Sequence, residues 1–443
     1  MKRKELVLTL VCGASMYILM SNHVIISYSE TAAPQCSDSE RTPPKKDHEF
    51  QDRMFEPLLT IFKKKSARKL THKKRTFRSG KVPKFLLWAR PFWKRYWHEQ
   101  TSHIRNNLCP LPCKVTFDVE ERGSVDAIVI ELRGTKDPRT AIGALGPRDP
   151  RQPWIMLSLE SPPLASPKHR TKIKLYNRFF NRTMTYRRDA DILLPHGFVV
   201  SKKDAKLLPP SWVKPPVLEH KKKQRKLALA FISKNNDMVH SNRLAYAKKF
   251  KEYAPLDIYG KFGDMKCGKS MVAYQGYDAT KDGCLKMAGE NYLFIFSLEN
   301  NFCKDYITEK VYNFLYYPIV PVVRGSADYS LYLPPNSYIN ANEYSPRELA
   351  QKLLFLQRNP EEYQKYFEWK QHYQPSTIGG ERTFCHLCAR LYDPDIYKHN
   401  IIEDFEDWFV YKSECWSPIY REELLQQNGT FYVNQTSVTD AGI

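Results

Sequence analysis

From Asn291 to Gly325 the chain reads NYLFIFSLENNFCKDYITEKVYNFLYYPIVPVVRG, two apolar runs around a dense polar cluster. Both runs are short and rich in aromatic or β-branched residues, the pattern of buried parallel strands. Parallel strands need a crossover, and DYITEKVYNFLYY supplies a helical one. Glu299 and Asn300 follow the first strand, beyond the carboxyl end where open α/β sheets bind ligands. Tyr306, Thr308, Glu309 and Lys310 open the expected helix, whose N-terminal amides favour an anion. Lys310 can reach a phosphate as a point charge, and Glu309 can accept hydrogen bonds from ligand hydroxyls. The same residues admit a plainer reading, with Asp305 capping the helix and Glu309–Lys310 on its surface.

The pattern recurs along the chain. Ala127 to Leu132 reads as a buried strand, and WIMLSLESPPL (Trp154 to Leu164) as a strand ending in Glu160. After the basic run HKKKQRK (His220 to Lys226) strands and helices restart: KLALAFIS, NRLAYAKKFKEY, LDIYGKFG, then the opening stretch and a long helical SPRELAQKLLFLQRNPEEYQKYFEWKQ. These segments predict two α/β domains, 81–215 and 216–400, with an extension over 401–443 and a ligand in the cleft between them.

Ahead of them, MKRKE (1–5) precedes a largely uncharged segment from Leu6 to Tyr28, long enough to cross a bilayer at about 1.5 Å per residue. Lys2, Arg3 and Lys4 keep the N-terminus cytosolic, so the rest is expected to be lumenal; a cleavable signal peptide is the rival. Residues 29–80 read as a basic stem and supply much of the net charge of +21. The charge alone admits nucleic acid, but a lumenal address excludes it. Three sequons, at Asn181, Asn428 and Asn434, and ten cysteines fit that compartment. With Cys12 in the anchor an odd number remains: Cys36, Cys109, Cys113, Cys267, Cys284, Cys303, Cys385, Cys388 and Cys415. At least one is free or pairs between chains.

LENNFCKDYITEKVYN, followed by Pro321-Val322-Val323, resembles the donor signature of the α1,3-fucosyltransferases, glycosyltransferase family 10. LESP (Leu159 to Pro162), FNRTMTYRRDADILLPHG (Phe180 to Gly197) and RTFCHLC (Arg382 to Cys388) resemble three further blocks of that family, in order. Leu298 and Asn301 depart from its first block, and Cys303 matches invertebrate members. The resemblance implies two Rossmann-like domains of the GT-B type behind a type II Golgi anchor. It also implies GDP-fucose as donor, a glycoprotein or glycolipid glycan as acceptor, and inverting transfer of fucose to O3 of N-acetylglucosamine.

On that resemblance Glu160 is the general base, its plainer role being a cap before Pro162. Arg243, ten residues after Ser233, and Lys310 face the diphosphate. Tyr306, Thr308, Glu309, Glu299 and Asn300 line the donor pocket. Arg187 and Arg188 are further donor contacts or, equally, partners of Asp189 or Asp191. No metal is expected to be required, Mn²⁺ being at most a stimulant; Asp189-Ala190-Asp191 is a weak D-x-D triplet inside a family block. Cys385-His386-Leu387-Cys388 lacks a second metal-binding pair, which favours lumenal disulfides over zinc. A catalytically inactive glycan-binding or scaffold protein of the same fold is the alternative function.

Overall fold

The fully buried strands Ala127–Glu131 and Trp154–Ser158 pair in parallel, Ile128 against Trp154 and Glu131 against Leu157. Apolar residues on both faces leave no solvated side, so each sheet must be covered twice. This holds throughout the computed structural model, which describes residues 81–89, 91–132, 138–165, 170–208, 216, 224–233, 240–267, 282–376 and 384–417. The cytosolic tail, the anchor, the stem, the junction near 215, Asn428 and Asn434 lie outside these residues. Among the described residues no helix is long and apolar enough to cross a membrane.

Six strands form the first sheet: β1 (Lys84–Trp88), β2 (Lys114–Thr116), β3 (Ala127–Glu131), β4 (Trp154–Ser158), β5 (Arg182–Thr185) and β6 (Ile192–Leu193). Their order is β2-β1-β3-β4-β5-β6, with every pair parallel. After the short strand β7 (Phe198–Ser201) comes a second parallel sheet from β8 (Lys226–Phe231), β9 (Leu256–Tyr259), β10 (Tyr292–Leu298), β11 (Val320–Arg324) and β12 (Ile339–Asn340). Its order is β12-β11-β10-β8-β9. Both sheets share one winding. The second strand lies outside the first, and the chain then reverses past it, which places a switch point between β1 and β3 and another between β8 and β10.

Phe250, Phe296, Val322, Leu349 and Leu353 cover one face of the second sheet, and Leu285, Ile295, Phe314 and Tyr317 the other. The helix Pro346–Arg358 supplies Leu349 and Leu353; its start is fixed by Ser345 and Glu348 in a reciprocal capping box with Pro346 at the first turn.

The chain then returns to the N-terminal half, where β7 and a later strand form a separate two-stranded sheet. Strand β13 (Tyr373–Ser376) runs antiparallel to β7, Ser376 opposite Phe198. The helix Phe384–Arg390 carries Cys385 and Cys388, which form disulfides with Cys109 and Cys113. Phe405 and Phe409 pack with Tyr176 and Phe180. Disulfides Cys267–Cys284 and Cys303–Cys415 pair the remaining cysteines among the described residues.

Two elements differ from expectation. The first is the long helical stretch after Ser345, which breaks at Pro360 into the helices Pro346–Arg358 and Pro360–Gln364 and the 3-10 segment Lys365–Gln371. The second, the crossover DYITEKVYNFLYY, is helical only from Glu309 to Tyr312 and continues as turns. Val311, Tyr312, Phe314, Leu315, Tyr316 and Tyr317 are all buried, so the segment is covered on every side and lacks the single apolar stripe of an exposed amphipathic helix.

Candidate active site

Glu299 emerges from β10, its N–H held by the Arg324 carbonyl at 3.0 Å. Its side chain turns back to the start of the next segment. Oε1 accepts from the Thr308 N–H at 2.8 Å, and Oε2 accepts from the Thr308 hydroxyl at 2.8 Å. Lys310 Nζ donates to that hydroxyl at 2.7 Å and lies 3.3 Å from Glu299 Oε2. The anion expected at the helix N-terminus is therefore the protein's own Glu299. A helix of one turn whose leading amide is already occupied is no phosphate site, which corrects the sequence reading.

Burial divides the expected donor residues. Glu299, Thr308 and Tyr306 are at most 2% exposed and serve as supports. The side chains of Glu309 and Lys310 keep 24% exposure and form the open edge of the cluster. Asn300 is partly exposed, and its Oδ1 is buried without a hydrogen-bond partner among the described residues. Arg243 opens the helix Arg243–Lys251 after β8, at the switch point, and Nη1 donates to the Leu298 carbonyl at 3.3 Å.

From the first sheet, Glu160 lies two residues beyond β4 and its Oε2 accepts from the Tyr306 hydroxyl at 2.8 Å. Next to it, Asn301 Nδ2 donates to Ser161 Oγ at 3.2 Å. His196, between β6 and β7, lies 2.8 Å from the Leu159 carbonyl and 3.6 Å from Glu309 Oε2. Carboxyl ends of both sheets thus meet at one cluster of carboxylates and cations.

Its electrostatics follow from that crowding. Burial alone would raise the Glu309 carboxyl, but Lys310 and His196 hold it well below the usual carboxylate range. Burial works against the Lys310 ammonium, yet Glu299 and Glu309 raise its pKa overall. Arg243 is pulled down by burial and remains charged, as guanidinium does in proteins. Burial, Glu160 and Glu299 push the Tyr306 phenol far upward, so it serves only as a neutral donor to Glu160.

Two site assignments are corrected. Arg187 is 1% exposed, and its donors are engaged by Asp189, Ser413 Oγ and the Trp408 carbonyl, with the guanidinium stacked on Trp408. It anchors the C-terminal segment, with four of its five N–H donors engaged within the protein. Asn181 is 3% exposed, its Nδ2 donates to the Asn400 carbonyl, and its Oδ1 accepts from the Trp154 N–H, so this fold has no room for a glycan there. Asp189 is paired with Arg187, and Asp191 Oδ2 accepts from the Thr183 N–H and hydroxyl. Arg188 contributes its backbone N–H to Asp305. His196 and Ser161 were not singled out from sequence. A lone histidine between Pro195 and Gly197 carries no spacing signal of its own.

Fold and site together define an α/β enzyme whose reactive groups gather where two parallel sheets present their strand ends. Residues 80–197 match the family model described as "Fucosyltransferase, N-terminal", and 220–408 that described as "Glycosyltransferase family 10 (fucosyltransferase) C-term". The chain belongs to glycosyltransferase family 10.

It is 34% identical over 275 residues to alpha-(1,3)-fucosyltransferase C of Drosophila melanogaster, covering 59% of this chain and 60% of that protein. It is 30% identical to the fly's glycoprotein 3-alpha-L-fucosyltransferase A, over 71% of this chain and 58% of that one. The chain thus spans about 60% of the length of these fly relatives. A bovine 3-galactosyl-N-acetylglucosaminide 4-alpha-L-fucosyltransferase is 28% identical over 73% of this chain and 81% of its own. A crystal structure of an α1,3-fucosyltransferase with GDP aligns at 14% identity and TM-score 0.46, over 78% of this chain and 100% of that one.

Proposed function

We propose that this protein transfers L-fucose from GDP-fucose to O3 of an N-acetylglucosamine residue in glycoprotein glycans, with inversion. One observation carries the reading: Tyr306, from the segment that bears Glu309 and Lys310, hydrogen-bonds Glu160 of the opposite sheet. This joins a proton acceptor to a cationic cluster across one site. Glu160 takes the proton of the acceptor hydroxyl as its oxygen bonds to the anomeric carbon. The bond from that carbon to the diphosphate breaks, and GDP departs with the electron pair. Lys310 and Arg243 offset the charge that develops on the leaving group, while Glu309 accepts hydrogen bonds from donor hydroxyls. The names of the fly relatives support the α1,3 linkage.

The same reading places the protein in the Golgi membrane as a single-pass type II protein, with 6–28 as anchor and 29–80 as stem. It divides the rest into an acceptor-side domain, 81–215, and a donor-side domain, 216–400. It assigns no metal requirement. The test is an acceptor panel with GDP-fucose: core chitobiose, lactosamine and LacdiNAc glycans, read by product mass and linkage. Fucose on O3 of N-acetylglucosamine is the expected product. Release of GDP without a fucosylated product, or no turnover on any acceptor, would sink the assignment.

A further inference from the structure

His196 lies between the two halves of the site and is 5% exposed. Its Nε2 is 2.8 Å from the carbonyl of Leu159, the residue before Glu160. A carbonyl only accepts, so Nε2 carries a hydrogen. Nδ1 is 3.6 Å from Glu309 Oε2. In the neutral ring Nδ1 would then point a lone pair at a carboxylate; only imidazolium offers a proton to both partners.

The other charged neighbours agree with this state. Glu160 adds a second negative charge near the ring, and Lys310 holds the other oxygen of Glu309. The Tyr306 ring meets the imidazole edge-on at 6.0 Å, its phenol too hard to ionise. Burial disfavours the charged ring, but contact with Glu309 and the charges of Glu309 and Glu160 outweigh it and raise the pKa. Close packing fixes the geometry: a Cβ at Gly197 would fall 2.2 Å from Tyr312 Cγ, so the His196 segment presses directly on the turn that carries Glu309.

We propose that His196 is a positioning residue whose imidazolium ties Glu309 to the Leu159–Glu160 loop, keeping the donor-side and acceptor-side carboxylates in register. The proposal rests on the reading of Glu309 as a donor-contacting group. Loss of the ring proton breaks the tie, so GDP-fucose use falls as pH rises through the His196 pKa. Binding of GDP, which lacks the sugar, does not change.

The test follows the His196 ring by NMR in full-length, histidine-labelled protein from about pH 5 to about pH 9, spanning the usual histidine range. Kinetics of His196→Gln, Glu309→Gln and the double variant accompany it. In the wild type the ring should titrate above its ordinary 6.5 with Nε2 protonated throughout, and Glu309→Gln should move that titration down. His196→Gln should raise the KM for GDP-fucose about tenfold, leave GDP affinity unchanged and abolish the alkaline fall, as loss of a charged contact implies. In the Glu309→Gln background it should add nothing. A ring that titrates at or below its ordinary 6.5, or whose titration ignores Glu309→Gln, overturns the proposal even if His196→Gln fails to fold. Unaltered GDP-fucose kinetics in Glu309→Gln would instead overturn the donor-site reading, and with it the role of the tie.

Discussion

The Tyr306 hydroxyl donates to Glu160 Oε2 at 2.8 Å, between residues that belong to opposite sheets. The bond aims one carboxylate oxygen at a fixed donor from the opposite sheet. Glu160→Gln keeps the shape and removes the proton acceptor. Transfer should fall by at least about 10²-fold, the scale of a general base. GDP binding, measured by calorimetry, should stay near the wild-type value. Joint loss of GDP binding and thermal stability would mark Glu160 as structural.

Lys310→Ala and Arg243→Ala should each weaken GDP-fucose use by roughly 10- to 150-fold, the cost of a lost charged hydrogen bond. Lys310→Ala should also lower the melting temperature, because it strips a counter-charge from buried Glu299. Normal donor kinetics in folded variants would remove both residues from the site.

Chelation provides a separate check. If protein cations carry the electrostatic load, activity should survive EDTA. Complete loss on chelation, reversed by Mn²⁺, would give Asp189 and Asp191 a metal-binding role despite their present partners.

The His196–Glu309 pair should shape stability against pH. A depressed carboxyl contributes above its ordinary value of 4.5 and loses that contribution as pH falls through its own lower pKa. A raised imidazole contributes below its ordinary 6.5 and loses that contribution as pH rises through its own higher one. Both contributions are complete between those ordinary values. The melting-temperature gap between wild type and Glu309→Gln should peak there and narrow on either side; a gap constant with pH would contradict the pairing.

Gly197→Ala places a methyl group against the Tyr312 ring base, where little can yield. Overpacking of this kind costs about 1–3 kcal/mol, and denaturant unfolding should show it. Equal stability would mean that the contact relaxes freely.

Much of the architecture was legible because parallel strands announce themselves. KLALAFIS, WIMLSL and PIVPVV sit within a residue or two of β8, β4 and β11. That Glu160, Arg243, Glu309 and Lys310 would gather at the strand ends was also legible, whereas their roles belong to the proposed function. Local pattern failed where a distant contact decided the outcome. The Glu299 carboxylate took the amide expected to meet a phosphate, and Trp408 and Ser413 took Arg187. The Asn400 carbonyl took the amide of the Asn181 sequon. Each partner lies far along the chain or in a turn whose geometry no short window encodes.

The return of residues 373–376 and 384–417 to the N-terminal half bears on how the chain is made. Strand β7, Cys109, Cys113, Tyr176 and Phe180 all wait for partners that the ribosome delivers last. The sheet nearest the N-terminus draws all its strands from residues 84–193, but its cover and its disulfides are complete only when the later segment arrives, although domains generally fold in the order of synthesis. Two cysteines stay unpaired across separations of 276 and 275 residues, exposed to wrong pairing for most of translation. A stop codon just before Phe384 would thus strip Cys109, Cys113, Tyr176 and Phe180, far up the chain, of partners they have in the finished fold.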